Sequence, residues 1–278
     1  MSTPDAFTSS GAPLHASLGN GTELAVHLTA AGASGPGIKP GPTNTGIPPG
    51  VTLTTYTGPS TVTAAGTVID SKDIAGGIRI AAQDVVILNC LIHDNMLATA
   101  GVYVEDTASL LIIDTEIHTF QVGMVYANWT GIRLNIHDIT FDGIKMGSNT
   151  ELRESWIHHP VPQEDAHWDG IQVQAGITNT VIRGNNIDPS GVDANSALFL
   201  SPDLGPTSAG PLVVTGNWLN GGNYTVYCLP GYNGDIITDI TFTNNRFGDD
   251  FKFGHSYVGM TLTQSGNVID STGAPYLL

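Results

Sequence analysis

One arrangement of apolar and polar positions recurs along the chain: an aliphatic run, a small polar residue, then a further aliphatic followed by a polar side chain. It reads Ile87-Leu88-Asn89-Cys90-Leu91-Ile92-His93 and returns as Leu111-Ile112-Ile113-Asp114-Thr115-Glu116-Ile117-His118 and Leu152-Arg153-Glu154-Ser155-Trp156-Ile157-His158. Later copies are Val181-Ile182-Arg183-Gly184-Asn185-Asn186-Ile187-Asp188, Val213-Val214-Thr215-Gly216-Asn217-Trp218-Leu219-Asn220 and Thr241-Phe242-Thr243-Asn244-Asn245-Arg246-Phe247. Anchored on the late aliphatic or aromatic, the copies fall at Ile74, Ile92, Ile117, Ile136, Ile157, Ile187, Leu219, Phe247 and Ile269, separated by 18, 25, 19, 21, 30, 32, 28 and 22 residues. The minimum is nearly constant and the excess is not. A propeller or leucine-rich array holds a stricter period, whereas the coils of a β-helix keep their strands and let the turns between them swell.

A second strand follows most anchors, as Gly77-Ile78-Arg79-Ile80, Gly101-Val102-Tyr103-Val104, Gly143-Ile144-Lys145-Met146, Gly170-Ile171-Gln172-Val173, Ala197-Leu198-Phe199-Leu200 and Thr225-Val226-Tyr227-Cys228. Two strands per turn repeating in phase predict an all-β fold, a right-handed single-stranded parallel β-helix. Coils about 4.8 Å apart make nine anchors a rod on the order of 40 Å long. Residues 1–42 are rich in Ser, Thr, Ala, Gly and Pro and end in a Pro/Gly run that holds neither helix nor ladder, so they read as an N-terminal arm and linker. The β-helix domain is expected over residues 43–278, with residues 43–69 forming the first coil and its cap.

Composition narrows the partners. Only 12% of residues are charged, and Lys plus Arg number 9 against a net charge of −16. No basic patch is available to neutralise phosphates, which argues against nucleic acid, and an anionic membrane surface is disfavoured for the same reason. No apolar run approaches a membrane span, so no membrane insertion is expected. The first twenty residues carry no basic segment followed by an apolar one, and nothing there marks the chain for Sec export. Cys90 and Cys228 each sit among apolar neighbours and read as two separate buried thiols. No cofactor is called for, although the acidity would tolerate a divalent cation such as calcium.

Stacking turns sequence position into geometry. Asp142-Gly143-Ile144-Lys145 and Asp169-Gly170-Ile171-Gln172 occupy equivalent positions of adjacent coils, which sets Asp142 beside Asp169 and Lys145 beside Gln172. Two carboxylates so close repel, raise at least one pKa, and supply the acid and base, or acid and nucleophile, that glycoside hydrolysis needs. Asp-Gly is also a turn dipeptide whose Asp bonds its own backbone at a strand entrance, and that reading stands beside the catalytic one. His167, at the end of the insertion over residues 160–166, is a candidate proton carrier or sugar ligand. A metal held by His158, His159, Asp165 and His167 lacks any helical His spacing to support it. His93, His118, His137 and His158 follow four consecutive anchors, so their rings should stack as a ladder bonding backbone carbonyls between coils; His158 is also a candidate sugar contact. Arg79, Tyr103, Lys145, Gln172, Phe199 and Tyr227 recur at the outward position of the second strand, and rings mixed with amides and cations suit a sugar surface. For a uronate polymer, Lys145 with Arg79 or Arg133 would be the cations available.

Two segments carry a resemblance. Thr43-Asn44-Thr45-Gly46-Ile47-Pro48-Pro49-Gly50-Val51-Thr52-Leu53 with Thr67-Val68-Ile69-Asp70, and His167-Trp168-Asp169-Gly170-Ile171-Gln172, resemble parallel β-helix proteins of actinobacteria and minor tail proteins of the phages that infect them. The wider superfamily it looks like is that of pectate lyases, polygalacturonases and phage tailspike depolymerases. The resemblance implies a virion component that binds a host cell-surface polysaccharide, with or without cleaving it. It also implies other virion tail proteins as partners and assembly as a homotrimer. The alternatives it leaves are an extracellular polysaccharide hydrolase or lyase of the same fold, and a structural rod without activity.

Overall fold

The computed structural model describes a two-strand antiparallel hairpin, Leu14–Ser17 with Glu23–Val26, and residues 37–95, 98–203 and 205–278. From residue 54 onward the chain winds as a solenoid whose strands stack into three parallel sheets of nine, nine and ten strands. Among the described residues no helix is long and apolar enough to cross a membrane.

The first sheet, called here the site sheet, runs from Thr61–Val62 through Ile78–Ile80, Ala100–Val104, Val122–Tyr126, Asp142–Met146, Asp169–Val173, Ser196–Leu200 and Tyr224–Cys228 to Gly254–Val258. The second runs from Val68–Asp70 to Thr263–Ser265, and the third from Thr54–Thr55 to Val268–Ile269. All nine anchors are in register in the third sheet, from Ile74 opposite Ile92 to Phe247 opposite Ile269. Their side chains form one apolar column inside the rod, and each buried aliphatic there contributes roughly 1.5–3 kcal/mol.

Each coil has three strands, not the two expected. The recurring phrase is itself two strands, bent at a corner where one residue takes a left-handed backbone. These corner residues are Ser71, Asn89, Asp114, Arg133, Glu154, Gly184, Gly216, Asn244 and Gly266, with φ between 49° and 67°. From Cys90 onward the residue after the corner turns inward, and in the upper coils it is an asparagine. Asn185 donates its N–H and Nδ2 to Asn217 Oδ1 at 2.9 and 3.0 Å, Asn217 does the same to Asn245, and Asn245 to Asn267. The remaining amide hydrogens go to backbone carbonyls of Leu152, Ile182, Val214 and Phe242. Polar atoms that would be costly to bury alone thus satisfy each other coil by coil.

The histidine ladder forms on the third sheet, with ring centroids 5.7, 5.0 and 5.3 Å apart from His93 to His158. Its partners are side chains and not backbone carbonyls: His93 Nε2 meets Asp73 at 2.8 Å, His137 meets Glu116 and Asp138 at 3.0 and 2.9 Å, and His158 Nε2 meets Asn135 Oδ1 at 2.8 Å. An imidazole beside a carboxylate gains a charge-assisted bond that a carbonyl cannot offer.

The stretch before the first coil departs from expectation. The first coil is built by Thr54–Thr55, Thr61–Val62 and Val68–Asp70, while residues 39–47 lie as a strap along the third sheet. The Pro40 carbonyl accepts Asn186 Nδ2 at 3.0 Å, and Gly46 N–H donates to the Arg133 carbonyl, two coils away, at 2.8 Å. A side chain at Gly46 would meet Asn135 Cβ at 2.9 Å, so the strap needs glycine there. At the far end Ile269 N–H donates to Ala274 O, and Tyr276 packs on Phe247, closing the last coil. Cys90 and Cys228 are free and buried, as the pattern indicated.

Candidate functional site

Asp142 and Asp169 are direct partners in the site sheet, and Lys145 faces Gln172. The two acids are 5% and 2% exposed. Asp142 uses both oxygens: Oδ2 holds Lys145 Nζ at 2.7 Å and Oδ1 accepts the backbone N–H of Asp169 at 3.0 Å. It therefore braces the neighbouring coil, where the turn-dipeptide reading would have it bond its own backbone. Lys145 Nζ also donates to Gln172 Oε1 at 2.6 Å. Asp169 Oδ1 accepts Asn195 Nδ2 at 2.9 Å and the Ser196 hydroxyl.

Burial pushes the Asp142 carboxyl up, against the pull of Lys145. Burial pushes Asp169 well above the ordinary carboxylate range, the charge of Asp142 adds to it, and the bonds from Ser196 and Asn195 only partly offset this. Lys145 pairs with Asp142 and not with Asp169, so of the two acids Asp169 is the one more inclined to hold a proton.

The local sequence explains the placement. Trp168 is fully buried with its indole N–H on the Ile139 carbonyl at 3.1 Å, which pins the His167-Trp168-Asp169 turn into the rod. Gly143 and Gly170 follow the two acids, and a Cβ at Gly143 would sit 2.5 Å from the Gly170 carbonyl. Glycine lets the coils approach closely enough for Asp142 to reach the next strand's N–H.

Beside the pair opens a cleft of about 330 Å³ lined by His167, Asp169, Gln172, Asn195, Phe199, Ser201, Asp203, Tyr227, Leu229, Pro230 and Tyr232. Gln172, Phe199 and Tyr227 form its floor, stacked in register on successive coils. Burial, followed by the charge of Asp169, raises the Tyr227 phenol, which stays a hydrogen-bond donor. Tyr232 stands at the rim, 86% exposed, its N–H donating to Asp203 O at 3.0 Å.

Of the residues singled out in the sequence, His167, Asp169, Gln172, Phe199 and Tyr227 converge on this cleft, with Asp142 and Lys145 joined to it through Asp169 and Gln172. Tyr103 does not: it lies two strands away from Lys145, under the Arg79 guanidinium at 4.5 Å and edge-on to Tyr126. His158 belongs to the ladder on another sheet. Arg79 pairs with Glu105 and Arg133 holds Asp114 with two bonds of 2.6 Å, so neither serves the cleft as a uronate-binding cation. Among the described residues no three His, Cys, Asp or Glu side chains are placed to hold a metal ion. Asn195, Ser196, Asp203 and Tyr232 were not foreseen. Asn195 and Ser196 precede the Ala197-Leu198-Phe199-Leu200 strand and were within reach of the stacking argument, whereas Asp203 and Tyr232 come from loops that repeat nothing.

Comparison with known proteins agrees with this architecture. The family described as Right handed beta helix region matches residues 76–272, and the chain belongs to it. Two solved structures are similar. The A-module of a mannuronan C-5 epimerase from Azotobacter vinelandii shares 18% identity at a TM-score of 0.49, over 76% of this chain and 65% of that one. An alginate lyase from a Paenibacillus species shares 13% identity at a TM-score of 0.41, over 71% of this chain and 91% of that one. The match thus spans less than two thirds of the epimerase module. No curated protein matches the chain.

Proposed function

We propose that the cleft binds a polysaccharide and that Asp169 donates a proton to a glycosidic oxygen held there. The observation that carries this reading is a carboxyl buried against a second carboxylate on the next strand, in the wall of an open, aromatic-floored cleft. An ordinary aspartic acid has lost its proton at neutral pH, and one raised by burial and a neighbouring charge retains it for use as a general acid. Rings at the floor suit the C–H faces of sugars, and the amides of Gln172 and Asn195 suit their hydroxyls.

Asp142 is the positioning residue: both its oxygens are engaged, so it holds Asp169 and its proton in place and does not attack the sugar. The hydrolytic step then balances through His167. The C–O bond breaks, the leaving oxygen takes the Asp169 proton, and water adds to the anomeric carbon as its own proton passes to the His167 imidazole. The cleft lining holds no Lys or Arg, which with the net charge of −16 favours a neutral polymer over a uronate one. The likeness of residues 43–70 to tail-protein openings supports a host cell-envelope glycan as the target, with a trimeric virion assembly and other tail proteins as its setting.

The test is reducing-end release from envelope polysaccharides by the native chain and by Asp169→Asn. Release should fall by about 100-fold or more in the variant while binding persists. Equal release by both forms, or an unsaturated product absorbing in the ultraviolet, would sink the proton-donor role; binding without release by either would leave only the binding half.

A further inference from the structure

One part of the rod's outside is built like its inside. In the second sheet, Val86 and Leu88 of Val85–Leu88, Leu111 and Ile113 of Leu110–Ile113, and Ile132 of Trp129–Ile132 lie in register on three successive strands. They alternate with Val85, Ile87, Leu110 and Ile112 of the core, so they stand on the outer face. Asp70 bounds this patch on the coil below, and Glu151 with Arg153 on the coil above. Although they face away from the core, Val86, Ile113 and Ile132 are 2%, 1% and 2% exposed.

Stacking within a sheet does not bury an outward side chain to that degree. Val181 and Val213 stand on the same face with a strand on either side, and both stay partly exposed. Ile113 and Ile132 form an apolar cluster apart from the core, and among the described residues the apolar side chains packed on it are Leu88 and Leu111 of the same face. The strap runs along the third sheet and adds none. The long stretch of chain left to cover the patch precedes residue 37.

That stretch contains a matching surface. The hairpin of Leu14–Ser17 and Glu23–Val26 opposes Leu14 to Val26 and Ala16 to Leu24, while the intervening positions pair His15 with Ala25 and Ser17 with Glu23. Opposed residues of an antiparallel pair share a face and successive ones change face. One face therefore carries Leu14, Ala16, Leu24 and Val26, and the other is mostly polar. A two-stranded hairpin alone is marginally stable in water and needs something to pack against. The connection is long enough, because the residues numbered 27–36 between hairpin and strap span up to about 33 Å. The Pro40 carbonyl sits on Asn186, two coils above Ile132, a rise of about 10 Å.

We propose that the outer face of the second sheet is the docking surface for this chain's own N-terminal hairpin, with Leu14, Ala16, Leu24 and Val26 laid on Val86, Leu111, Ile113 and Ile132. The rod gains a short second layer on this flank, and the hairpin gains the apolar support it lacks alone. The N-terminal stretch is then fastened twice, by hairpin to the second sheet and by strap to the third, and the site sheet with its cleft stays clear.

The experiment is thermolysin digestion of the whole native chain, with cleavage at Leu14, Leu18, Leu24 and Leu28 followed by mass spectrometry. Proteolysis samples the undocked fraction, so the native chain should be cut about 10-fold or more slowly than a synthetic peptide of residues 11–30. Leu24→Asp in the hairpin and Leu111→Asp in the patch should each restore rapid cleavage at Leu14 and Leu18, and raise the fluorescence of a dye that binds apolar surface. Val213→Asp, on the same face outside the patch, should do neither. Leu24→Asp leaves every residue of the rod in place, so it decides the matter should Leu111→Asp fail to fold. Cleavage of the native chain at the rate of the peptide, or resistance kept in either variant with its fold intact, overturns the proposal. So does protection that fades on dilution together with a dimer or trimer in sedimentation, which assigns the patch to the hairpin of a second copy.

Discussion

At the residue scale, the histidine ladder shows how one residue type can be tuned in opposite directions by its neighbours. Burial and then the adjacent His137 lower His118, and burial with His137 and His159 pushes His158 down to about 3. Burial also opposes the charged form of His137, but its bonds to Glu116 and Asp138 prevail and raise it. The signs follow from linkage. His118 and His158 contribute stability that is present above the unfolded value near 6.5 and is lost as pH falls toward their folded values. His137 contributes stability present below that value and lost as pH rises through its raised one. The raised carboxyls of Asp142 and Asp169 act in the sense of His137. His158→Gln should therefore flatten the acid loss of stability, removing about 1.4 kcal/mol per pH unit of slope between pH 6 and 4. Urea titrations across that range check it, and parallel slopes in both proteins would dismiss the idea. At this scale the sequence disclosed which histidines stack and that Asp142 meets Asp169, because stacking maps position onto neighbourhood. It did not disclose their partners: Asp73, Glu116 and Asn135 each precede an anchor on the coil before the ring they bond, a position whose residue type changes from coil to coil.

At the scale of the strand and corner, the asparagine ladder is the device that holds the upper coils in phase. The Asn217 side chain gives two hydrogen bonds and receives two in a fully buried position. Asn217→Ala leaves the Asn185 amide, the Asn245 oxygen and the Ile182 carbonyl short of partners, and should cost about 2–4 kcal/mol in chemical denaturation. A loss under about 0.5 kcal/mol would mean that water replaces the amide. The anchors were legible because an inward aliphatic must recur wherever a coil closes. The corners were not, because the left-handed residue varies from Gly184, Gly216 and Gly266 through Asn89, Asp114 and Asn244 to Arg133 and Glu154, whose residue types seldom take that backbone. A two-strand coil was the natural reading of a phrase whose break is hidden in this way. The loops carrying Asp203 and Tyr232 stayed illegible for the opposite reason, since a cleft wall answers to its ligand and not to the repeat.

At the scale of the whole molecule, contacts run almost entirely between neighbouring coils, so the stack behaves as a line of nearest-neighbour interfaces. The strap is the exception, touching coils that are not adjacent. Omitting residues 1–47 removes the bonds to Asn186 and Arg133, and the thermal midpoint should drop by on the order of 5 °C with the β-sheet circular dichroism signal retained; an unchanged midpoint would show the strap to be a passenger. The alternation of apolar and polar positions gave no hint of it, because a proline- and glycine-rich stretch reads as linker whether it floats or lies against a sheet. Its course has a mechanical meaning. Tension entering at residue 37 reaches the body of the rod partway along its flank, where two fastenings on separate coils share the load in shear. The terminal coil, which would otherwise peel away one bond at a time, is left slack.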